Sequence, residues 1–176
     1  MTATTIDTGR PAADEHIPYF GQYISLVPDG DIIEILATQI GATTALYGAL
    51  STEQERWRPA PGEWNAREIA GHVTDTERLL LHRALRIARG DPVLWESIDF
   101  ELYVENGGFD GREIGDLMGE FAAVRGATVA LLRGLDETAW ARRMPEEWSC
   151  RSVRSLAWLI AGHELHHVAD IRRQTA

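Results

Sequence analysis

The chain has 176 residues, 44% of them hydrophobic and 25% charged, and this ordinary globular mixture indicates one domain with a sizeable core. A formal net charge of −10 argues against nucleic acid as a partner, and no apolar run approaches the roughly 20 residues of a membrane span. The single Cys150 excludes an internal disulfide and predicts a cytoplasmic protein. Residues 1–17 lack the pattern of a secretion signal, and we expect a flexible leader before one domain at 18–176.

The first two predicted helices each begin at a residue of the type that caps helix N-termini. Asp31, with Glu34 three residues later, precedes apolar residues at helical spacing. Asn65 and Glu68 give the same signal for a second helix, which the sequence Gly90-Asp91-Pro92 ends. These signals place two long helices in the first half of the chain.

Two further helices are predicted in the second half. The third starts near Asp110, with Glu113 three residues later, and Ser149 is expected to cap the fourth. The remaining segments are predicted to be connections: 18–27, 51–62, 92–111 and 136–147. Because no stretch shows strand-like alternation, four amphipathic segments of roughly 20 residues predict an all-α fold, a four-helix bundle.

Three of the six histidines lie close together in the last predicted helix. His163 and His167 are four positions apart, so on a helix they project from one face. They continue an apolar stripe formed by Val153, Leu156 and Ile160. An unpartnered imidazole in a core is unfavourable, so this pair is predicted to bind a metal ion. His166 lies to one side of the stripe, and we expect it to contact the metal ligands from outside, to lie at the rim of the site, or to be exposed.

The same stretch matches H-E-x-x-H, a zinc-protease pattern whose longer form needs a third histidine downstream. This chain has Arg173 at that place, so the third ligand must come from upstream. His72 is the best candidate, because it lies at a height that matches His167 if the second and fourth helices are antiparallel. Three histidines would leave positions open for water, a thiolate or a substrate oxygen.

Three carboxylates near these histidines are candidates for supporting roles. Glu164, by analogy with H-E-x-x-H, and Asp75 are candidate catalytic bases if the metal activates water. Glu164 is alternatively an ordinary solvated helix residue. Asp170 follows His167 by three positions, so it either orients that imidazole or pairs with a neighbouring arginine.

The chain resembles the DinB/YfiT-like superfamily of small metal-binding four-helix bundles. The resemblance rests on the order and spacing of Trp64-Asn65 before His72, Asp75-Thr76-Glu77, Arg125, and His163-x-x-x-His167. In that family the matching histidines bind a divalent metal, often nickel or zinc, the helices run up-down-down-up, and the chains commonly dimerise. The resemblance therefore implies a homodimer in which His72, His163 and His167 bind the metal.

The resemblance leaves the reaction open. Family members are described as metal-dependent hydrolases or resemble thiol S-transferases and isomerases that use bacillithiol, mycothiol or glutathione as cosubstrate. For this chain, both a thiol S-transferase and a hydrolase acting on a small molecule remain possible, as does a bundle in which the metal is only structural or sensed. Candidate pocket walls are Trp95, Phe100 and Tyr103. Candidate arginines for a thiol's carboxylate are Arg83, Arg125 and Arg151.

Overall fold

The structure is a computed structural model that describes residues 6–91 and 98–175. Within these residues the body consists of four long helices: α2 (Ile32–Gly48), α4 (Ala66–Arg89), α6 (Ile114–Arg133) and α8 (Val153–Thr175). Shorter helices are α1 (Pro18–Ile24), α3 (Thr52–Arg56), α5 (Phe100–Gly107) and α7 (Glu137–Ala141), with 3-10 turns at Ala13–Glu15 and Phe109–Gly111. No strand forms in the part of the chain that is described, and the predicted four-helix bundle is confirmed.

The long helices run up-down-down-up, as the hydrogen bonds between them establish. Helices α2 and α8 are parallel, because Gln39 bonds Ala161 and the later Thr43 bonds the later Glu164. Helix α4 is parallel to α6, as shown by the pairs Asn65–Asp110 and Glu77–Arg125. It is antiparallel to α8, as shown by the pairs His72–His163 and Trp64–Gln174. The long connection after α4 is required because α4 and α6 are parallel neighbours.

Side-chain caps explain where α2 and α4 begin. Asp31 accepts hydrogen bonds from the first turn of α2, and Asn65 forms a capping box with Glu68 at the start of α4, as predicted. Gly90 ends α4 in the left-handed conformation, with φ of 72°. Helix α6 starts later than expected, after Glu113, because Asp110 lies in a 3-10 turn.

The predicted cap of α8 at Ser149 is wrong. The Ser149 carbonyl oxygen accepts from the Ile17 backbone N–H at 2.9 Å, and the next residue, Cys150, forms a β-bridge with His16. The chain is therefore extended here, and the helix starts after Ser152, whose Oγ accepts from the backbone N–H of Ser155 at 2.9 Å.

The connections are more ordered than the sequence predicted. The segment 18–27 contains α1, and the predicted loops 51–62, 92–111 and 136–147 contain α3, α5 and α7. Helices this short present too few turns for apolar periodicity to reveal them, although each of α3, α5 and α7 has a side-chain cap. Part of the segment 92–111, including Trp95, lies outside the described residues.

Residues 6–17, the described part of the predicted leader at 1–17, pack against the bundle. Glu15 is 1% exposed, binds the guanidinium of Arg154, and accepts from the Ser152 hydroxyl at 2.6 Å. The indole N–H of Trp158 donates to the Thr8 carbonyl oxygen at 3.1 Å. These contacts attach the described part of the segment to α8.

A buried polar layer separates two apolar clusters of the core. The guanidinium of Arg125 is 0% exposed and binds both carboxylate oxygens of Glu77 at 2.8 Å. It also lies 2.7 Å from one carboxylate oxygen of Glu164, and the other oxygen of Glu164 accepts from the Thr43 hydroxyl. Because these groups come from all four long helices, the layer fixes the relative heights of the helices.

No helix within the described ranges is long and apolar enough to cross a lipid bilayer.

Candidate metal site

Three histidines from two helices meet on one side of the bundle. His72, on α4, and His163 and His167, on α8, each offer a nitrogen, and these nitrogens lie within 4.8 Å of one another. The Nε2 atoms of His72 and His163 are 3.2 Å apart. The rings of each pair are 4.7 to 5.0 Å apart. The structure thus brings together the three predicted metal ligands.

The bundle topology explains this meeting. The spacing of four residues puts His163 and His167 one turn apart on one face of α8. Helix α4 packs antiparallel to α8, and the expected match in height between His72 and the pair is observed. The convergence therefore depends on helix packing rather than on a flexible loop.

Burial favours the neutral form of two of the three imidazoles, those of His72 and His163. Burial, together with the neighbouring imidazoles, lowers the pKa of His72 to about 3 and holds the pKa of His163 well below its usual value. Neutral imidazole has a nitrogen lone pair available for a metal. Two nitrogens on one tetrahedral ion would lie about 3.3 Å apart if each metal–nitrogen bond is about 2.05 Å long. The observed 3.2 Å fits that spacing.

Asp170 contacts the cluster from outside. Nδ1 of His167 donates to a carboxylate oxygen of Asp170 at 3.0 Å, which leaves Nε2 with its lone pair. Although burial acts in the opposite direction, this hydrogen bond lowers the pKa of Asp170. Asp170 also pairs with Arg173, so both expected contacts are present. His166 lies at the rim, 3.7 Å from Asp170, with 44% of its side chain exposed.

The two predicted catalytic bases face elsewhere. Glu164 is 1% exposed and belongs to the buried Arg125 layer, where burial raises its pKa. Asp75 binds Arg78 at 2.8 Å, and Arg78 also pairs with Glu120 on α6. The structure does not group either carboxylate with the three histidines. Glu164 differs from the sequence expectation because its side chain contacts Thr43 of α2 and Arg125 of α6 inside the bundle.

Aromatic side chains enclose the imidazoles. Trp64 and Phe100 lie 4.7 and 5.4 Å from the ring of His72. The ring of Tyr23, on α1, lies 5.7 Å from His163 and 5.2 Å from His166. Sequence reasoning missed Tyr23. Its spacing of four from Tyr19 is a helical signal that a predicted connection concealed.

Helix α1 approaches α8 closely because of a glycine next to the site. A Cβ atom on Gly162 would lie 2.1 Å from the backbone oxygen of Tyr23. Only a residue without a side chain permits this contact between helices. Gly162 therefore determines where Tyr23 lies relative to His163.

Two large cavities reach the histidine cluster in the described part of the chain. One of about 540 Å³ reaches His167 and Asp170 and is bordered by Trp57, Trp64 and Glu101. The other, of about 390 Å³, reaches His163 and is lined mainly by apolar side chains. Phe100 lines the second cavity, as expected for a pocket wall, whereas Tyr103 lines neither and is 42% exposed.

The three candidate arginines have different surroundings. Arg83 lines the second cavity. Arg125 is fully buried between Glu77 and Glu164, and therefore has no access to a substrate. Arg151 donates to the backbone oxygens of Asp14 and Glu146. Of the three, Arg83 has the placement that a substrate contact requires.

Comparison with known proteins agrees with the fold. Residues 35–171 match the model of the DinB superfamily. The chain therefore belongs to the DinB superfamily. Among solved structures, it is similar to YfiT from Bacillus subtilis, which is described as "a probable metal-dependent hydrolase with an unusual four-helix bundle topology". The two share 16% identity with a TM-score of 0.70, over 94% of this chain and 90% of YfiT. No curated protein sequence matches the chain.

Proposed function

We propose that the protein is a metal-dependent enzyme that acts on a small molecule at the site formed by His72, His163 and His167. The observation that carries this proposal is the convergence of three imidazoles, with 3.2 Å between two Nε2 atoms, next to two cavities. Nickel or zinc is the expected ion, because imidazole is a favourable ligand for both. The similarity to YfiT, described as a probable metal-dependent hydrolase, supports the same class of function.

The chain's own residues would prepare and enclose the site. A divalent metal held by three imidazoles would supply Lewis-acid chemistry, lowering the pKa of a thiol or water molecule. Asp170 holds the proton of His167 on Nδ1 and so directs Nε2 toward the other two histidines. Trp64, Phe100 and Tyr23 exclude bulk water from the imidazoles.

Thiol transfer is the reaction that the geometry supports best. A hydrolase that uses a general base needs a free carboxylate near the metal, and the predicted bases Glu164 and Asp75 are held in ion pairs with Arg125 and Arg78. A thiol has a much lower pKa than water, so a metal would deprotonate a bound thiol more completely at neutral pH than a bound water molecule. A low-molecular-weight thiol as cosubstrate therefore fits the residues around the site.

Hydrolysis is the second candidate. It is favoured by the description of YfiT and by the cavity that reaches Asp170. Asp170 would have to serve as the base, although it already binds His167 and Arg173. The third candidate is a purely structural role for the metal, which requires that no ligand from solution can reach the ion.

Titration of cobalt-substituted protein with mercaptoethanol tests this proposal. If the site accepts thiols, a thiolate-to-cobalt absorption band appears and saturates at one equivalent per chain, and it is absent in His163→Ala. A metal-loaded protein whose spectrum ignores thiols but which cleaves chromogenic esters would favour hydrolysis. A spectrum that ignores thiol, azide and cyanide, without esterase activity, would establish a structural ion and overturn the enzyme proposal.

A further inference from the structure

A second group of possible metal ligands lies beside the three histidines. His166, His167 and Asp170 of α8 each offer a nitrogen or an oxygen, and these atoms lie within 4.8 Å of one another. One carboxylate oxygen of Asp170 lies 3.7 Å from Nε2 of His166 and 3.0 Å from Nδ1 of His167. Ligand atoms on one tetrahedral ion are about 3.3 Å apart, so both distances are close to what a metal requires. We call these three residues the outer group, and His72, His163 and His167 the inner group.

The two groups differ in their access to solvent. The side chain of His166 is 44% exposed, and that of Asp170 is 21% exposed. His72 is buried and packs against the rings of Trp64 and Phe100. An ion from solution therefore reaches His166 and Asp170 before it reaches His72. The outer group lies where an entering ion makes its first contact.

The charges around the outer group favour a cation. Asp170 borders the larger cavity together with Glu63 and Glu101, and the whole chain has a net charge of −10. Arg173 acts in the opposite direction, because it borders the same cavity and donates to the other carboxylate oxygen of Asp170. Its side chain is 69% exposed, so it can turn into solvent when an ion binds Asp170.

His167 belongs to both groups but can serve only one ion at a time. A neutral imidazole has one N–H and one lone pair. The lone pair is on Nδ1 when His167 binds an ion in the outer group, and on Nε2 when it binds an ion in the inner group. An ion that passes inward leaves Nδ1, which takes a proton from water, while Nε2 gives its proton to water. His167 thus keeps one proton, and its Nδ1–H donates to Asp170, as observed.

We infer that the outer group is an entry site, which captures a divalent metal ion from solution and passes it to the inner group. His166 and Asp170 bind the ion first, and His167 transfers it from one ring nitrogen to the other. Asp170 then returns to its hydrogen bond with His167, and His166 is released. The inference rests on the metal centre of the proposed function, but it concerns how the metal is acquired and is independent of the reaction.

Nickel binding to a variant without the inner group tests the outer group directly. His72→Ala/His163→Ala retains the three outer ligands, and we expect calorimetry to show one Ni²⁺ per chain, bound too weakly to survive purification. Adding His166→Ala should weaken this binding at least tenfold, since even the loss of a group that only orients a ligand costs roughly 10- to 100-fold. Adding Gln22→Ala, at an exposed position of α1, should leave it unchanged.

The rate of nickel uptake by the metal-free protein tests the role in entry. Stopped-flow tryptophan fluorescence follows this uptake, because Trp64 lies 4.7 Å from His72. We expect His166→Ala to slow association roughly tenfold, because a site that concentrates ions locally raises association rates by at least that factor. The equilibrium affinity should stay unchanged, so dissociation should slow by the same factor. Gln22→Ala should change neither rate.

Arg173 provides a test of opposite sign. Arg173→Ala frees one carboxylate oxygen of Asp170 and should speed nickel association. Arg172→Ala removes the same charge from the neighbouring exposed position and should have a smaller effect. Equal acceleration in the two variants would show that only the general charge of this surface matters, and would contradict capture by Asp170.

Other outcomes separate this inference from the proposed function. An unchanged association rate in His166→Ala, or no nickel binding to His72→Ala/His163→Ala, would overturn the entry site and leave the inner group intact. A wild type that binds no nickel at equilibrium would instead contradict the proposed function. Should the double variant not fold, as measured by circular dichroism, the uptake rates of His166→Ala decide.

Discussion

His72 and His163 are 91 positions apart in the sequence, yet their Nε2 atoms lie 3.2 Å from each other. The antiparallel packing of α4 on α8 produces this contact, and the buried Arg125 layer holds the helices at that height. Two neutral imidazoles make at most one hydrogen bond to each other. A third imidazole nearby adds further polar nitrogens to a buried region. A metal ion bound by all three histidines would accept a lone pair from each of these buried nitrogens.

The first prediction concerns Asp170. Replacing it with asparagine removes the negative charge that holds the proton of His167, and we expect metal affinity to fall by roughly 10- to 100-fold. Competition with a chromophoric chelator measures this affinity. Asp75→Asn is the matched control, because Asp75 binds Arg78 and is not grouped with the histidines. An equal loss in both variants would assign Asp75 a role at the site.

The second prediction distinguishes a structural Glu164 from a catalytic one. Glu164→Gln weakens the buried ion pair with Arg125, and we expect the free energy of unfolding to fall by roughly 2–4 kcal/mol while metal content stays at the wild-type level. Urea denaturation and elemental analysis measure the two quantities. Unchanged stability with a complete loss of turnover would instead support the base role predicted from H-E-x-x-H.

The third prediction concerns the packing of α1 against α8. Gly162→Ala places a methyl group 2.1 Å from the Tyr23 backbone oxygen, so α1 must move, and we expect a loss of roughly 1–3 kcal/mol in the free energy of unfolding. Gly126→Ala is the control: its Cβ meets no atom within 4 Å, and alanine in a helix is favoured by up to about 1 kcal/mol. Equal stability of the two variants would show that α1 does not pack as described.

The fourth prediction is a pH dependence that arises from Glu15. Burial acts to raise its pKa, but hydrogen bonds from Arg154 and Ser152 outweigh it and lower the pKa below the ordinary 4.5. Ionised Glu15 therefore stabilises the folded protein above pH 4.5. This stabilisation is lost as the pH falls through the lower pKa that Glu15 has in the folded state.

We accordingly expect Glu15→Gln to lower the free energy of unfolding by roughly 2 kcal/mol at pH 7, because a buried charge-assisted network loses its charge. The difference from wild type should shrink below pH 4.5. Urea denaturation at several pH values measures it, with the exposed Glu105→Gln as control. A difference that grows with acidification would contradict the assigned direction.

The long helices and the histidine set could be predicted from sequence, because both depend on regular spacing along one helix. Caps at Asp31 and Asn65 and the spacing of His163 and His167 are local signals. The prediction that His72 supplies the third nitrogen required only that α4 and α8 be antiparallel.

The surroundings of the site could not be predicted, because they depend on contacts between distant segments. Glu164 follows a candidate ligand, but it faces Arg125 because α8 is buried on more than one side. Tyr23 reaches His163 only because Gly162 admits the backbone of α1. Neither relationship has a signature in local spacing.

The most direct test of the metal site is elemental analysis of the purified protein and of His72→Ala, with His82→Ala, an exposed histidine on the same helix, as control. We expect one equivalent of nickel or zinc per chain in the wild type and in His82→Ala, and none in His72→Ala. A full equivalent in His72→Ala would contradict the three-histidine site, and no metal in the wild type, even after incubation with nickel or zinc, would remove the basis for a metal-dependent enzyme.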